Sequence, residues 1–207
     1  MMQKEHWENI YSTKGLTEVS WYQEVPETSL ELIKRVTKNK EASIIDVGGG
    51  DGYLVDELIQ LGYNNITVLD ISENAINKAK QRLGDVAKNI KWIISDILEF
   101  NPSEKYDVWH DRALFHFLIE DSDIEKYKSL LQLNLKKNGH LILATFADNG
   151  PDKCSGLSVS KYSAKDHALK FKDYFTPLDS FKYDHITPFR TTQNFTVSVF
   201  KRSSIID

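Results

Sequence analysis

With 207 residues, 41% of them hydrophobic and 27% charged, the chain has the composition of one globular domain with its own core, which excludes a disorder-dominated protein. A net charge of −4 offers no broad positive field, so nucleic acid is not an expected partner, and no apolar run approaches the ~20 residues that span a bilayer. The one cysteine, Cys154, rules out an internal disulfide, and Met1–Ile10 lacks the apolar core of a signal peptide, so the cytoplasm is the expected location.

The first segment, Glu5–Val25, carries Trp7, Tyr11, Trp21 and Tyr22. It is too aromatic for a solvated tail and is expected to pack against the rest of the chain. From residue 43 onward, apolar β-rich runs alternate with segments of helical spacing, the pattern of parallel strands joined by crossover helices. The strands predicted are Ser43–Val47, Ile66–Asp70, Lys91–Ser95, Tyr106–Trp109 and His140–Phe146, the first three reading as runs buried on both faces. Between them, Tyr53–Leu61 sets Leu54, Leu58 and Leu61 on one helical face, and Glu73–Leu83 does the same with Ile76, Ala79 and Leu83 behind a Ser72 cap. A third helix is expected over Ile124–Leu135, ending before Gly139. Asp148–Ser160, rich in Gly, Pro, Ser and Asp, reads as a long loop. Ser163 and Asp166 have the spacing of a capping box for a helix running towards Tyr174, and Phe181–Ile186 with Phe195–Lys201 close the chain as a hairpin.

Chemistry is advertised where the strand Ile44–Val47 runs into Gly48-Gly49-Gly50-Asp51-Gly52 at the mouth of a helix. Glycines there let a ligand approach the backbone and supply the positive φ of a tight turn. The dinucleotide fingerprint G-x-G-x-x-G fails in both frames, because its third glycine falls on Tyr53 or Val55. The pattern Asp46-x-Gly48-x-Gly50-x-Gly52 instead resembles the first motif of class I S-adenosylmethionine-dependent methyltransferases. About 20 residues on, the second strand ends in Asp70, a carboxylate able to accept from both hydroxyls of a ribose, or else a helix-capping residue. Asp96, at the end of the third strand, is placed to accept from an adenine amine or to cap the next turn. In order and spacing, these elements resemble the cofactor half of that family over residues 40–146, and the terminal hairpin matches its antiparallel last strand.

The resemblance implies a Rossmann-like three-layer α/β sandwich whose mostly parallel seven-stranded sheet has the order 3-2-1-4-5-7-6. It implies a single domain over 1–207, with an N-terminal aromatic cap or lid over 1–30, the cofactor core over 40–146, and a substrate-side loop, helix and hairpin over 147–207. The cofactor would be S-adenosylmethionine, leaving as S-adenosylhomocysteine, and no metal is expected. Its methionine part would lie over Gly48, Gly49, Gly50, Asp51 and Gly52, its ribose on Asp70 and its adenine between Ile71 and the Asp96–Ile97 edge, with Asp46 organising the loop and Asp111 near the methyl donor.

Ligands of open α/β sheets bind beyond the carboxyl ends of the strands, so the fourth strand should deliver His110–Phe117 to the acceptor. This stretch lacks the Asn/Asp-Pro-Pro-aromatic motif of methyltransferases acting on amide or adenine nitrogens. Asp111-Arg112-Ala113-Leu114 resembles a stretch of the thiopurine methyltransferase branch, which acts on small soft nucleophiles. His6-Trp7 with Trp21-Tyr22 is similar to the opening of some protein lysine methyltransferases. A small molecule, such as a thiol or metalloid, is therefore the expected acceptor; a protein lysine, or a non-catalytic module that only binds the cofactor, are the alternatives. The catalytic candidates are Asp111, Arg112 and His116: His116 as base or as a packed histidine, Arg112 as a clamp for an anion or paired with Asp111. Trp7, Tyr11, Trp21 and Tyr22 are candidates for a lid. Phe146 and Arg190, with Cys154, Tyr162, His185 and Gln193, are candidates to complete the pocket.

Overall fold

The structure is a computed structural model that describes residues 2–203. In chain order it contains α1 (Met2–Thr13), α2 (Glu27–Val36), β1 (Ile44–Val47), α3 (Leu54–Gln60), β2 (Ile66–Asp70), α4 (Glu73–Leu83) and β3 (Lys91–Ile94). These are followed by β4 (Tyr106–Arg112), α5 (Asp121–Asn134), β5 (Leu135–Phe146), α6 (Ala164–Phe171), β6 (Phe175–Ile186) and β7 (Thr192–Arg202). Within the predicted long loop, Lys153–Cys154 and Leu157–Ser158 form a small separate hairpin.

The seven sheet strands lie in the order β3-β2-β1-β4-β5-β7-β6; counting the two short hairpin strands as well, the same sheet reads 3-2-1-4-5-9-8. β1 to β5 pair in parallel, and β7 runs antiparallel between β5 and β6. Alternation along the strands divides the core into two. Ile44, Val68, Val108 and Val199 pack with Leu30, Ile33, Leu58 and Ile76 from α2, α3 and α4. Ile45, Leu69, Trp109 and Phe200 pack with Tyr127, Leu131 and Phe171 from α5 and α6. The result is three layers, with β1 and β2 buried along their whole length.

Several predicted elements change on folding. β3 is a sheet edge and is only half-buried, not covered on both faces. β4 continues to Arg112, because Asp111 and Arg112 still pair with Leu143 and Ala144 of β5. β6 and β7 extend well beyond the predicted hairpin, since main-chain pairing from Phe175–Arg202 to Ile186–Thr192 does not need apolar side chains. The Ser163–Asp166 capping box forms, but α6 stops at Phe171 rather than Tyr174. Among the described residues no helix is long and apolar enough to cross a membrane, and no group of three or more side chains is gathered to hold a metal.

Candidate active site

The glycine turn sits at the carboxyl end of β1, where Gly48 and Gly49 both donate to the Leu69 carbonyl at 2.8 and 3.2 Å. A Cβ on Gly49 would lie 2.6 Å from Asp46 Oδ2 and 2.8 Å from Val68 Cγ1, so the backbone passes directly over the Asp46 carboxylate. Gly50 has φ +56°, and a Cβ there would collide with the Tyr11 hydroxyl. Asp46 is in turn fixed from below: its Oδ1 meets His110 Nδ1 at 2.7 Å, and His110 Nε2 meets Ser29 Oγ at 2.9 Å. Arg82 of α4, which no motif singles out, holds the far side of the turn. Its guanidinium donates to the carbonyls of Asp51 and Gly52 at 2.6 and 2.9 Å and pairs with Asp56 at 2.7 Å. Burial raises the pKa of Asp51, opposed by Lys78 and Arg82.

Asp70 closes the next side. Its Oδ2 accepts from Gly50 N at 2.9 Å and its Oδ1 from Ser72 N at 2.8 Å, which leaves a lone pair on each oxygen for a ligand. Burial pushes this carboxyl up to about 7, against the pull of the Ser72 and Gly50 N–H groups. Asp96 Oδ1 accepts from Leu98 N at 2.9 Å and so caps the turn after β3, while Ile71, Asp96 and Ile97 all line the same cavity as the glycine turn. That cavity, of about 570 Å³, is within the ordinary range for a small-ligand site.

The N-terminal segment forms its roof. Tyr11 is buried above Gly50 and Asp70, and Trp7 packs edge-on against Trp21 and Phe117 at 5.6 and 5.4 Å between ring centres. Tyr22 meets Tyr53 at 6.1 Å. Glu8 docks α1 by capping α4 from outside: its carboxylate accepts from Ser72 Oγ and Glu73 N, both at 2.8 Å, and from Asn74 N at 3.1 Å. Burial works against the Glu8 carboxylate, but these donors prevail and lower its pKa.

On the acceptor side, the strand alternation separates the neighbours that the sequence placed together. Arg112 lines the cavity, with Nη1 donating to the Trp21 carbonyl at 3.1 Å and Nε to the Tyr183 hydroxyl at 3.4 Å. Asp111 points to the opposite face and is wholly buried, so neither the predicted pairing with Arg112 nor a place beside the methyl donor is realised. It accepts instead from Leu114 N and Phe115 N at 3.0 and 3.2 Å and from the Tyr127 hydroxyl at 2.6 Å, fixing the turn in which Ala113 adopts φ 70°. Burial pushes Asp111 up to about 6 against these donors.

His116 also differs from its expected role. It is fully buried between Phe117 and Phe146 at 4.6 and 4.7 Å, accepts from Phe146 N at 3.3 Å, and does not line the cavity. Burial, with the Arg112 charge adding, pulls its pKa down to about 3, too low for a base at neutral pH. Phe146 is a core residue stacked edge-on against Phe195 at 5.0 Å, and Arg190 lies exposed in the turn joining β6 to β7, with φ 61°. Neither reaches the cavity. Tyr162 is likewise in the core, Cys154 lines the cavity, and His185 ties β6 to the roof through the Ser20 carbonyl at 2.7 Å.

A family model described as a methyltransferase domain matches residues 38–183, which span the glycine turn, Asp70, Asp96 and Arg112. The chain belongs to this methyltransferase family. Its seven-stranded sheet with flanking helices is the Rossmann-like fold of S-adenosylmethionine-dependent methyltransferases. The malonyl-[acyl-carrier protein] O-methyltransferase 1 of Ilyobacter polytropus is 30% identical over 151 residues, covering 72% of this chain and 53% of that protein. The EEF1A lysine methyltransferase 2 of Mus musculus is 33% identical over 141 residues, covering 60% and 56%. The chain thus spans about half the length of the curated relatives it matches. Among solved structures, the 1,6-didemethyltoxoflavin-N1-methyltransferase of Burkholderia thailandensis, with S-adenosylhomocysteine bound, superposes with a TM-score of 0.70 at 15% identity, covering 98% of this chain and 85% of that one. These likenesses do not show the thiopurine branch that Asp111–Leu114 resembles.

Proposed function

We propose that this chain is an S-adenosylmethionine-dependent methyltransferase that acts on a small molecule held under the N-terminal aromatic roof, beside a cofactor cradled by Gly48–Gly52, Asp70, Ile71, Asp96 and Ile97. The observation that carries this is the single cavity that runs from the glycine turn and Asp70 to Arg112, Trp7, Trp21 and Phe117. The residues fit the cofactor: the cavity floor is backbone at Gly48, Gly49 and Gly52, and the Asp70 carboxylate keeps acceptor capacity for two hydroxyls. When bound, S-adenosylmethionine supplies an electrophilic methyl group. The chain itself contributes position and exclusion of water, since charge disperses rather than builds up in such a displacement. Tyr11 and Trp21 close over the turn, and Arg112 and Phe117 shape the far end.

Among the described residues no histidine or cysteine is poised at that end to remove a proton: His116 and His185 do not line the cavity, His110 is held between Asp46 and Ser29, and burial pushes the Cys154 thiol up to about 12. The acceptor therefore arrives with its nucleophile already free, which favours an anionic or soft small molecule over a lysine ammonium. A protein lysine acceptor is the second reading, favoured by the likeness to EEF1A lysine methyltransferase 2. The two separate on incubation with isotope-labelled S-adenosylmethionine and a cell extract divided by size. Label in the low-mass fraction is expected; label confined to protein overturns the small-molecule reading.

A further inference from the structure

We infer that the acceptor is a flat, apolar monocarboxylate whose carboxylate is gripped by Arg112. This rests on the cavity being the site of methyl transfer. Arg112 ends β4 and lines the cavity, with its guanidinium over the Phe195 ring at 5.3 Å. A guanidinium carries five N–H donors, of which Trp21 and Tyr183 take one each, so three remain. Its Nη2 is buried without a hydrogen-bond partner.

Its charge is also unanswered. Among the described residues no carboxylate forms an ion pair with Arg112, and its chain neighbour Asp111 faces the other side of the sheet. The titratable groups that sense its charge are His116, His185 and Cys154, and burial keeps all three neutral. A half-buried cation with free donors and no counter-ion costs free energy until an anion arrives. The free end of one guanidinium fits a planar carboxylate.

A phosphate dianion fits poorly. Arg112 is the one Lys or Arg among the described residues that line the cavity, whereas five carboxyl side chains, Asp46, Asp51, Asp70, Asp96 and Asp123, line it as well. Near Arg112 the walls are aromatic, Trp7, Trp21 and Phe117, which suits a flat apolar body.

The test uses the full chain saturated with S-adenosylhomocysteine and titrated with phenylacetate, phenylacetamide or phenyl phosphate, followed by calorimetry and by the fluorescence of Trp7 and Trp21. Phenylacetate is expected to bind, with the amide about 10- to 100-fold weaker and the phosphate no tighter than the acid. Arg112→Gln should lose the preference for acid over amide while still binding S-adenosylhomocysteine, and Arg112→Lys, which keeps the charge without the fork, should retain part of it. Equal binding of acid and amide, preference for the phosphate, absence of acid binding at millimolar concentration, or an Arg112→Gln protein that still prefers the acid would each overturn the inference and leave the cofactor site standing. Failure to bind S-adenosylhomocysteine would overturn both.

Discussion

Asp70 is buried with two backbone donors and no cation against it, and its carboxyl is raised from 3.8 to about 7. The folded chain therefore holds that proton more tightly than the unfolded chain does. The Asp70 contribution to stability is full below pH 3.8 and is lost as pH rises through about 7. Ribose hydroxyls donate to the ionised form, so cofactor affinity should rise as pH increases through about 7, with a proton released on binding; calorimetry in buffers of different ionisation heat reads both. Asp70→Asn should weaken S-adenosylhomocysteine binding by about 10- to 100-fold, the ~1.5–3 kcal/mol of a charge-assisted hydrogen bond, and unchanged affinity would remove the ribose assignment. His116 carries the opposite sign. Held down to about 3, it favours the folded state above pH 6.5, and this is lost as pH falls towards 3. His116→Phe should make the acid-side fall in urea-measured stability shallower and leave the pH profile of turnover in place; a turnover profile that lost its acid limb would restore His116 as a base. The glycines and Asp70 were legible because strand-end chemistry is local. His116 was not, because its burial depends on Phe146, 30 residues away.

At the scale of elements, the roof is held by a contact that no local pattern reveals. Glu8 caps α4 through residues 64 to 66 positions further on, so the sequence showed only that Glu5–Val25 was too aromatic to be free. Glu8→Ala removes an external helix cap, a loss of about 0.5–2 kcal/mol and near the low end for a group partly open to water. If the roof must lift for ligand to leave, S-adenosylhomocysteine should dissociate several-fold faster from this variant, as read by stopped-flow tryptophan fluorescence. An unchanged off-rate would make α1 a fixed wall. β4 teaches a related lesson. Its extension by three residues beyond Trp109 sends Asp111 to α5 and Arg112 to the cavity, and neither destination is visible until β5 supplies the pairing. The Ser163 cap, closed within four residues, could be read directly.

For the whole molecule, the alternation of apolar strands and amphipathic helices was enough for the α/β class with parallel strands, while the sheet order and the antiparallel last strand were legible only through the resemblance to the methyltransferase family. The far half of the cavity draws on the N-terminal segment, the end of β4 and the loop carrying Cys154; Trp7, Trp21, Arg112 and Cys154 stood out singly as candidates, but no shared motif showed that these distant segments meet. The wall around the glycine turn, which we propose holds the cofactor, comes by contrast mainly from the single stretch from Asp46 to Ile97 that the motifs mark. The central claim is that this stretch binds the methyl donor. The most direct measurement is calorimetry of the purified chain with S-adenosylmethionine, S-adenosylhomocysteine and NADH. One-to-one micromolar binding of the two sulfur ligands and none of NADH is the predicted result; binding of NADH alone, or of none of the three, would contradict it.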